Sequence, residues 1–85
     1  MNEDKIVSIM RAIVVLNSLA RKQGSYRLGE IAQWSHTSRA TCDRYLRRMV
    51  ECELLEERQS VYGGKPCRVF AIAQDGEDFL SAWNV

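Results

Sequence analysis

Apolar residues recur at helical spacing from position 4 to position 22. Ile6, Ile9, Met10, Ile13, Leu16 and Ala20 form one stripe, and Val7, Val14, Val15 and Leu19 widen it. The 3.6-residue period predicts a first helix. An apolar surface this broad needs cover on two sides, one from the core and the other from the C-terminal segment or a second subunit. Arg21 and Lys22 suit the C-terminal end of such a helix, and Gly24 stops it. Residues 25–28 (SYRL) read as a short extended segment. Gly29 then opens a second helix, Glu30 to Ser35, with Ile31 and Ala32 inward. Trp34 either packs as a core or rim aromatic, the commoner use, or stacks on a bound base.

From His36 to Glu53 the pattern predicts one helix with two chemically different faces. Cys42, Leu46, Met49 and Val50 make the apolar stripe, while Arg39, Asp43, Arg44, Arg47 and Arg48 fall off it. Thr37 or Ser38 supplies the N-cap oxygen. Alternation then replaces the helical period. Leu54 to Tyr62 and Lys65 to Ala73 read as two strands around Gly63-Gly64, with Phe70 and Ile72 inward and Pro66 tolerated at an edge. The last segment, Asp75 to Trp83, is a short helix with Asp75 as N-cap and Asp78 completing a weak capping box. Its apolar face, Phe79, Leu80 and Trp83, must pack on something, because two turns do not stand alone. The first helix is the expected partner.

Composition narrows the class. With 85 residues and 46% apolar side chains, the chain supports a single folded domain, 1–85, with one modest core. No apolar run approaches the roughly 20 residues that span a bilayer. The opening MNEDK has no signal-peptide pattern, which predicts a cytoplasmic protein. Three cysteines without a C-x-x-C, and the single His36, give no zinc spacing, so no metal or cofactor is expected. Cys42 and Cys52 read as small core hydrophobes and Cys67 as more exposed. There is no nucleophile–base pair, and no helix follows Gly63-Gly64 to make a phosphate cradle. Glu51, Glu53, Glu56 and Glu57 do not form a convincing acid/base pair. The chain is not expected to be an enzyme.

Net charge is only +1, but its distribution is uneven. Residues 21–48 carry seven basic and two acidic side chains, a net +5, and the remainder carries a net −4. Local concentration of charge, not the total, steers a polyanion. A helix packed by one face and carrying guanidiniums on another suits a nucleic-acid groove. The alternative is that the arginines only solvate an outer face.

The order of elements and several short patterns resemble a known family. Leu28 to Ala32 (LGEIA) leads into Ser38 to Glu51 (SRATCDRYLRRMVE), then Leu54 to Glu56 (LLE), then Phe70 to Gly76 (FAIAQDG). Together they resemble the winged helix-turn-helix of MarR-type and IclR-type transcriptional regulators. The resemblance implies an α+β, mainly α fold: a three-helix core, a two-stranded β-hairpin wing and a short C-terminal helix. It implies that Ser38 to Arg48 is a recognition helix. Arg39, Ala40, Asp43 and Arg44 would face bases, and Thr41, Arg47 and Arg48 phosphates. Lys65 and Arg68 would reach the flanking backbone or minor groove from the wing. Asp43 has an alternative role, a salt bridge orienting Arg39 or Arg47 four residues away. Four departures stand out: His36 and Glu53 occupy positions where the family uses glycine, Thr37 a position where it uses an apolar residue, and Ala73 replaces a capping threonine at the wing exit.

The resemblance implies a sequence-specific double-stranded DNA-binding protein, a transcriptional repressor acting by operator occupancy as a dimer. The first and C-terminal helices would form the homodimer interface. No membrane association and no small-molecule effector are expected. The alternatives are a winged-helix protein–protein interaction module, or DNA binding for replication or recombination.

Overall fold

The computed structural model describes the backbone of residues 3–83 and the side chains of residues 10–82. Its elements are α1 (Glu3–Lys22), β1 (Tyr26–Arg27), α2 (Leu28–Ser35), α3 (Arg39–Glu51), β2 (Leu55–Tyr62), β3 (Lys65–Ile72) and α4 (Gln74–Trp83). One core joins them. Val15, Leu16 and Leu19 of α1 meet Ile31 and Ala32 of α2, Cys42, Leu46 and Met49 of α3, Leu55 and Phe70 of the sheet, and Leu80 of α4. No helix among the described residues is long and apolar enough to cross a membrane.

The inward face of α1 is rotated from the expected stripe. Val15, Leu16 and Leu19 are buried, Ile13 and Ala20 are half-buried, and Met10 and Val14 face out. The side chains of Ile6, Val7 and Ile9 lie outside the described residues. A helix apolar around most of its circumference does not encode which face turns inward. Here α2, β3 and α4 decide it by packing against α1.

The wing is part of a three-stranded antiparallel sheet, in the order β1-β3-β2. Tyr26 pairs with Phe70 and Arg27 with Val69, so β3 becomes a central strand at its base. That explains why Val69, Phe70 and Ala71 are all buried in place of simple alternation. At the tip, Gly63 and Gly64 both have positive φ (+62° and +77°), the geometry of a two-residue turn matched to strand twist. Tyr62 and Lys65 close the hairpin, so Val61 and Pro66 fall at the next, non-hydrogen-bonded pair. The missing N–H of Pro66 therefore removes no ladder bond.

Three helix ends carry left-handed residues other than glycine: Gln23 (φ +51°) after α1, and one residue each after α2 and α3. At the end of α2, Thr37 N donates to Ala32 O (3.1 Å) and His36 N to Gln33 O (3.4 Å). At the end of α3, Leu54 N donates to Met49 O (2.8 Å) and Glu53 N to Val50 O (3.0 Å). Both are Schellman closures, which place the residue after the helix in the left-handed region. His36 (φ +55°) and Glu53 (φ +63°) occupy those positions.

The C-terminal helix corrects three expectations. It begins at Gln74, with Glu77 N donating to Ala73 O, so Asp75 lies inside the first turn and does not cap. Asp78 accepts from Gln74 Nε2 (3.0 Å) and so does not complete a capping box. Among its described apolar side chains Leu80 enters the core, while Phe79 is 37% exposed. The side chain of Trp83 lies outside the described residues. The helix does pack on α1, as expected. Cysteine placement also differs: Cys42 is buried, Cys67 half-buried, and Cys52 exposed. Cys52 is the C-cap of α3 and lies between the exposed Glu51 and Glu53.

Candidate nucleic-acid interface

The position of α3 is set from below. Cys42 and Leu46 are fully buried, and Met49 nearly so. Burial pushes the Cys42 thiol above its ordinary pKa, only partly offset by hydrogen bonds from Thr37 and Ser35, so it stays protonated as a core group. Ser38 caps the helix: its Oγ accepts from Thr41 N (3.1 Å) and donates to Thr41 Oγ1 (2.9 Å). The helix proper starts at Arg39, because His36 to Ser38 form the turn from α2. With one face fixed, Arg39, Ala40, Arg44, Arg47 and Arg48 are exposed, and Thr41 and Asp43 are half-buried.

Asp43 lies between two guanidiniums. Its Oδ2 meets Arg47 Nε at 3.1 Å and its Oδ1 meets Arg68 Nη2 at 3.4 Å. Arg68 also reaches Glu57 Oε1 at 3.4 Å. Asp43 thus ties α3 to the wing, and of its two candidate partners on α3 it engages Arg47 and not Arg39. Each such exposed pair contributes at most about 1 kcal/mol, so its effect is orientation more than stability. Among the described residues, Arg39, Arg44, Arg48 and Lys65 have no ion-pair partner. Arg58 is paired with Glu56 along β2.

The two wing residues differ. Lys65 directly follows the glycine turn and is exposed. Arg68 is farther down β3, opposite Gln59, and is held by carboxylates. Trp34 is a rim aromatic, with the Tyr26 ring 4.6 Å away edge-on and Lys22 Nζ 4.5 Å from its centroid.

The structure adds two residues to the site. Arg27 Cζ sits 3.6 Å from the centroid of Tyr62 on the wing. Arg27 also caps α2, with its backbone N (3.3 Å) and Nε (2.9 Å) donating to Glu30 Oε1. Nothing local in the sequence marks the pair, which forms only because β1 docks against β3. Among the described residues no group of His, Cys, Asp and Glu could hold a metal ion.

A helix held by one face, flanked by a hairpin wing and carrying unpaired guanidiniums outward, defines a winged helix-turn-helix DNA-binding domain. The family model of the IclR helix-turn-helix domain matches residues 8–59, and the chain belongs to that family. The family consists of transcriptional regulators, not enzymes. Among curated protein sequences none matches this chain. Solved structures with the same fold include a PadR family transcription regulator from hypervirulent Clostridium difficile, with a TM-score of 0.75 and 20% identity over 87% of this chain and 82% of that one. Bacillus subtilis PadR in complex with operator DNA gives 0.74 and 13% identity, covering 91% of this chain and 47% of that one. A MarR family transcriptional regulator from Silicibacter pomeroyi gives 0.69 and 20% identity, covering 81% and 44%. This chain spans less than half the length of the Bacillus and Silicibacter proteins.

Proposed function

We propose that residues 1–85 act as one winged-helix unit that binds double-stranded DNA sequence-specifically in the cytoplasm and represses transcription by occupying an operator as a dimer. The observation that carries this is the outward face of α3, where Arg44 and Arg48 stand exposed with no carboxylate partner among the described residues. Arg44 and Ala40 face base edges in the major groove. A guanidinium matches guanine O6 and N7, and a methyl group matches thymine. Arg47, Arg48 and Thr41 meet phosphates, and Lys65 reaches the flanking backbone. Asp43 acts through Arg47 and Arg68, holding helix and wing at a fixed angle. A fold neighbour, the Bacillus PadR structure, contains operator DNA and supports the same use of this fold.

The test is fluorescence anisotropy on a mixed-sequence duplex across a salt series. Wild type should lose affinity steeply with salt. An Arg47→Ala/Arg48→Ala variant should reduce the log–log slope by about 1.8, two phosphate contacts at about 0.9 each. No salt-dependent binding by the wild type would sink the reading.

Dimerisation rests on the exposed apolar residues of α1, Met10 (61%) and Val14 (50%). A single winged helix reads a short site, and a two-fold partner doubles it. Sedimentation velocity should show a dimer that Met10→Glu/Val14→Glu dissociates. A wild type that remains monomeric both free and on operator DNA contradicts it.

A further inference from the structure

Arg27, Arg39 and Lys65 come from three different elements and line one cleft, of about 290 Å³, between the start of α2, the start of α3 and the wing. We propose that this cleft seats one backbone phosphate of the duplex engaged by α3, and that Arg39 consequently contacts phosphate and reads no base. The proposal rests on the DNA-binding reading above.

Three observations carry it. The first is preorganisation of Arg27. Its guanidinium lies 3.6 Å over the Tyr62 ring, and Glu30 takes only its Nε. A guanidinium held by its face and one edge keeps its remaining N–H groups as a fixed fork, the geometry that suits a phosphodiester. The second is the direction of Arg39. A Cβ built on Gly29 would lie 2.7 Å from Arg39 Nη2, so this side chain lies back over the start of α2. That position is in the cleft, away from the base-facing side of α3. The third is charge. Arg39 and Lys65 have no ion-pair partner among the described residues, and Glu30 is the one carboxylate bound to Arg27. Arg68 also borders the cleft, but Asp43 and Glu57 already match its charge. The remaining excess is positive, which a phosphodiester satisfies.

Because Tyr62 belongs to the wing and Arg27 to β1, the stack also fixes the distance between wing and helix-turn-helix. The phosphate therefore meets a site that is assembled before DNA arrives.

The same anisotropy salt series, on the mixed-sequence duplex, tests the cleft with Arg27→Gln/Arg39→Gln, checked for folding by circular dichroism. The slope should fall by about 0.9, the loss of one phosphate contact. Arg27→Lys/Arg39→Lys, which keeps both charges, should restore most of it. A selection from a randomised duplex library should return the same site for wild type and the glutamine pair. If the glutamine pair does not fold, Lys65→Gln at the exposed turn keeps the test decisive, with an expected fall in the same direction of no more than about 0.9. A salt-dependent wild type whose slope these variants leave unchanged overturns the cleft and leaves the DNA reading intact. Relaxed preference at one base position in the glutamine pair overturns the assignment of Arg39 to phosphate. A wild type without salt-dependent binding overturns the DNA reading and the cleft with it.

Discussion

Gly76→Ala is expected to destabilise the fold by about 2–3 kcal/mol, the upper part of the range for an overpacked site. Gly76 is buried where α4 leaves the wing. A Cβ there would lie 2.2 Å from the carbonyl oxygen of Leu54 and 2.9 Å from Ile72 Cγ1. The first contact is with backbone, and that backbone is already committed. Leu54 N donates to Met49 O to close α3, and Leu54 O accepts from Ala73 N at 3.0 Å. Leu54 cannot retreat without breaking one of these bonds. A domain of this size loses roughly 4–8 °C per kcal/mol, so thermal melting followed by circular dichroism should show a drop of about 10 °C or more. An unchanged midpoint would mean that α4 can slide away from Leu54 at little cost.

Glu53→Gly and His36→Gly should stabilise the protein, by about 0.5–1 kcal/mol each and about 1–2 kcal/mol together. Both residues sit at Schellman positions with φ of +63° and +55°, where a Cβ crowds the backbone. Glycine removes that strain but adds freedom to the unfolded chain, which offsets part of the gain. The Glu53 effect should be the larger, because histidine tolerates the left-handed region better than glutamate. Glu53 is exposed, so its replacement leaves no cavity. The melting midpoint of the double variant should rise by roughly 5–10 °C. A fall on Glu53→Gly would show that the side chain contributes more than its backbone geometry costs.

These two predictions rest on short patterns that are visible in the sequence. The run Phe70 to Gly76 marks the wing exit, but its glycine acquires a reason only when Leu54 is found above it. His36 and Glu53 stand out as departures from glycine, and the folded chain keeps the left-handed backbone and accepts the strain. The fold overrides the local preference because the closing hydrogen bonds and the burial of Leu55 depend on that turn. The capping expected of Asp75 fails for a related reason: Ala73 is fixed by its bond to Leu54, so the helix starts two residues earlier than a side-chain cap at Asp75 would require.

The candidate site divides in the same way. The alternation of apolar and basic residues along α3 is a property of spacing, so Cys42, Leu46 and Met49 inward and Arg44, Arg47 and Arg48 outward follow from the helical period. The elements and their order, the glycine turn of the wing and the concentration of positive charge near α3 also come from local pattern. Which guanidiniums stay unpaired does not. Asp43 finds Arg68 across 25 residues of chain, and Arg27 finds Tyr62 across a strand pairing. The inward face of α1 was equally hidden, since its apolar residues spread over most of its circumference and the packing of α2, β3 and α4 selects among them. Sequence alone determined what depends on period, capping and turn chemistry within a few residues. Tertiary structure decided what depends on the pairing of β1 with β3, because that pairing brings the wing to α2 and so determines which charges face each other and which remain unpaired.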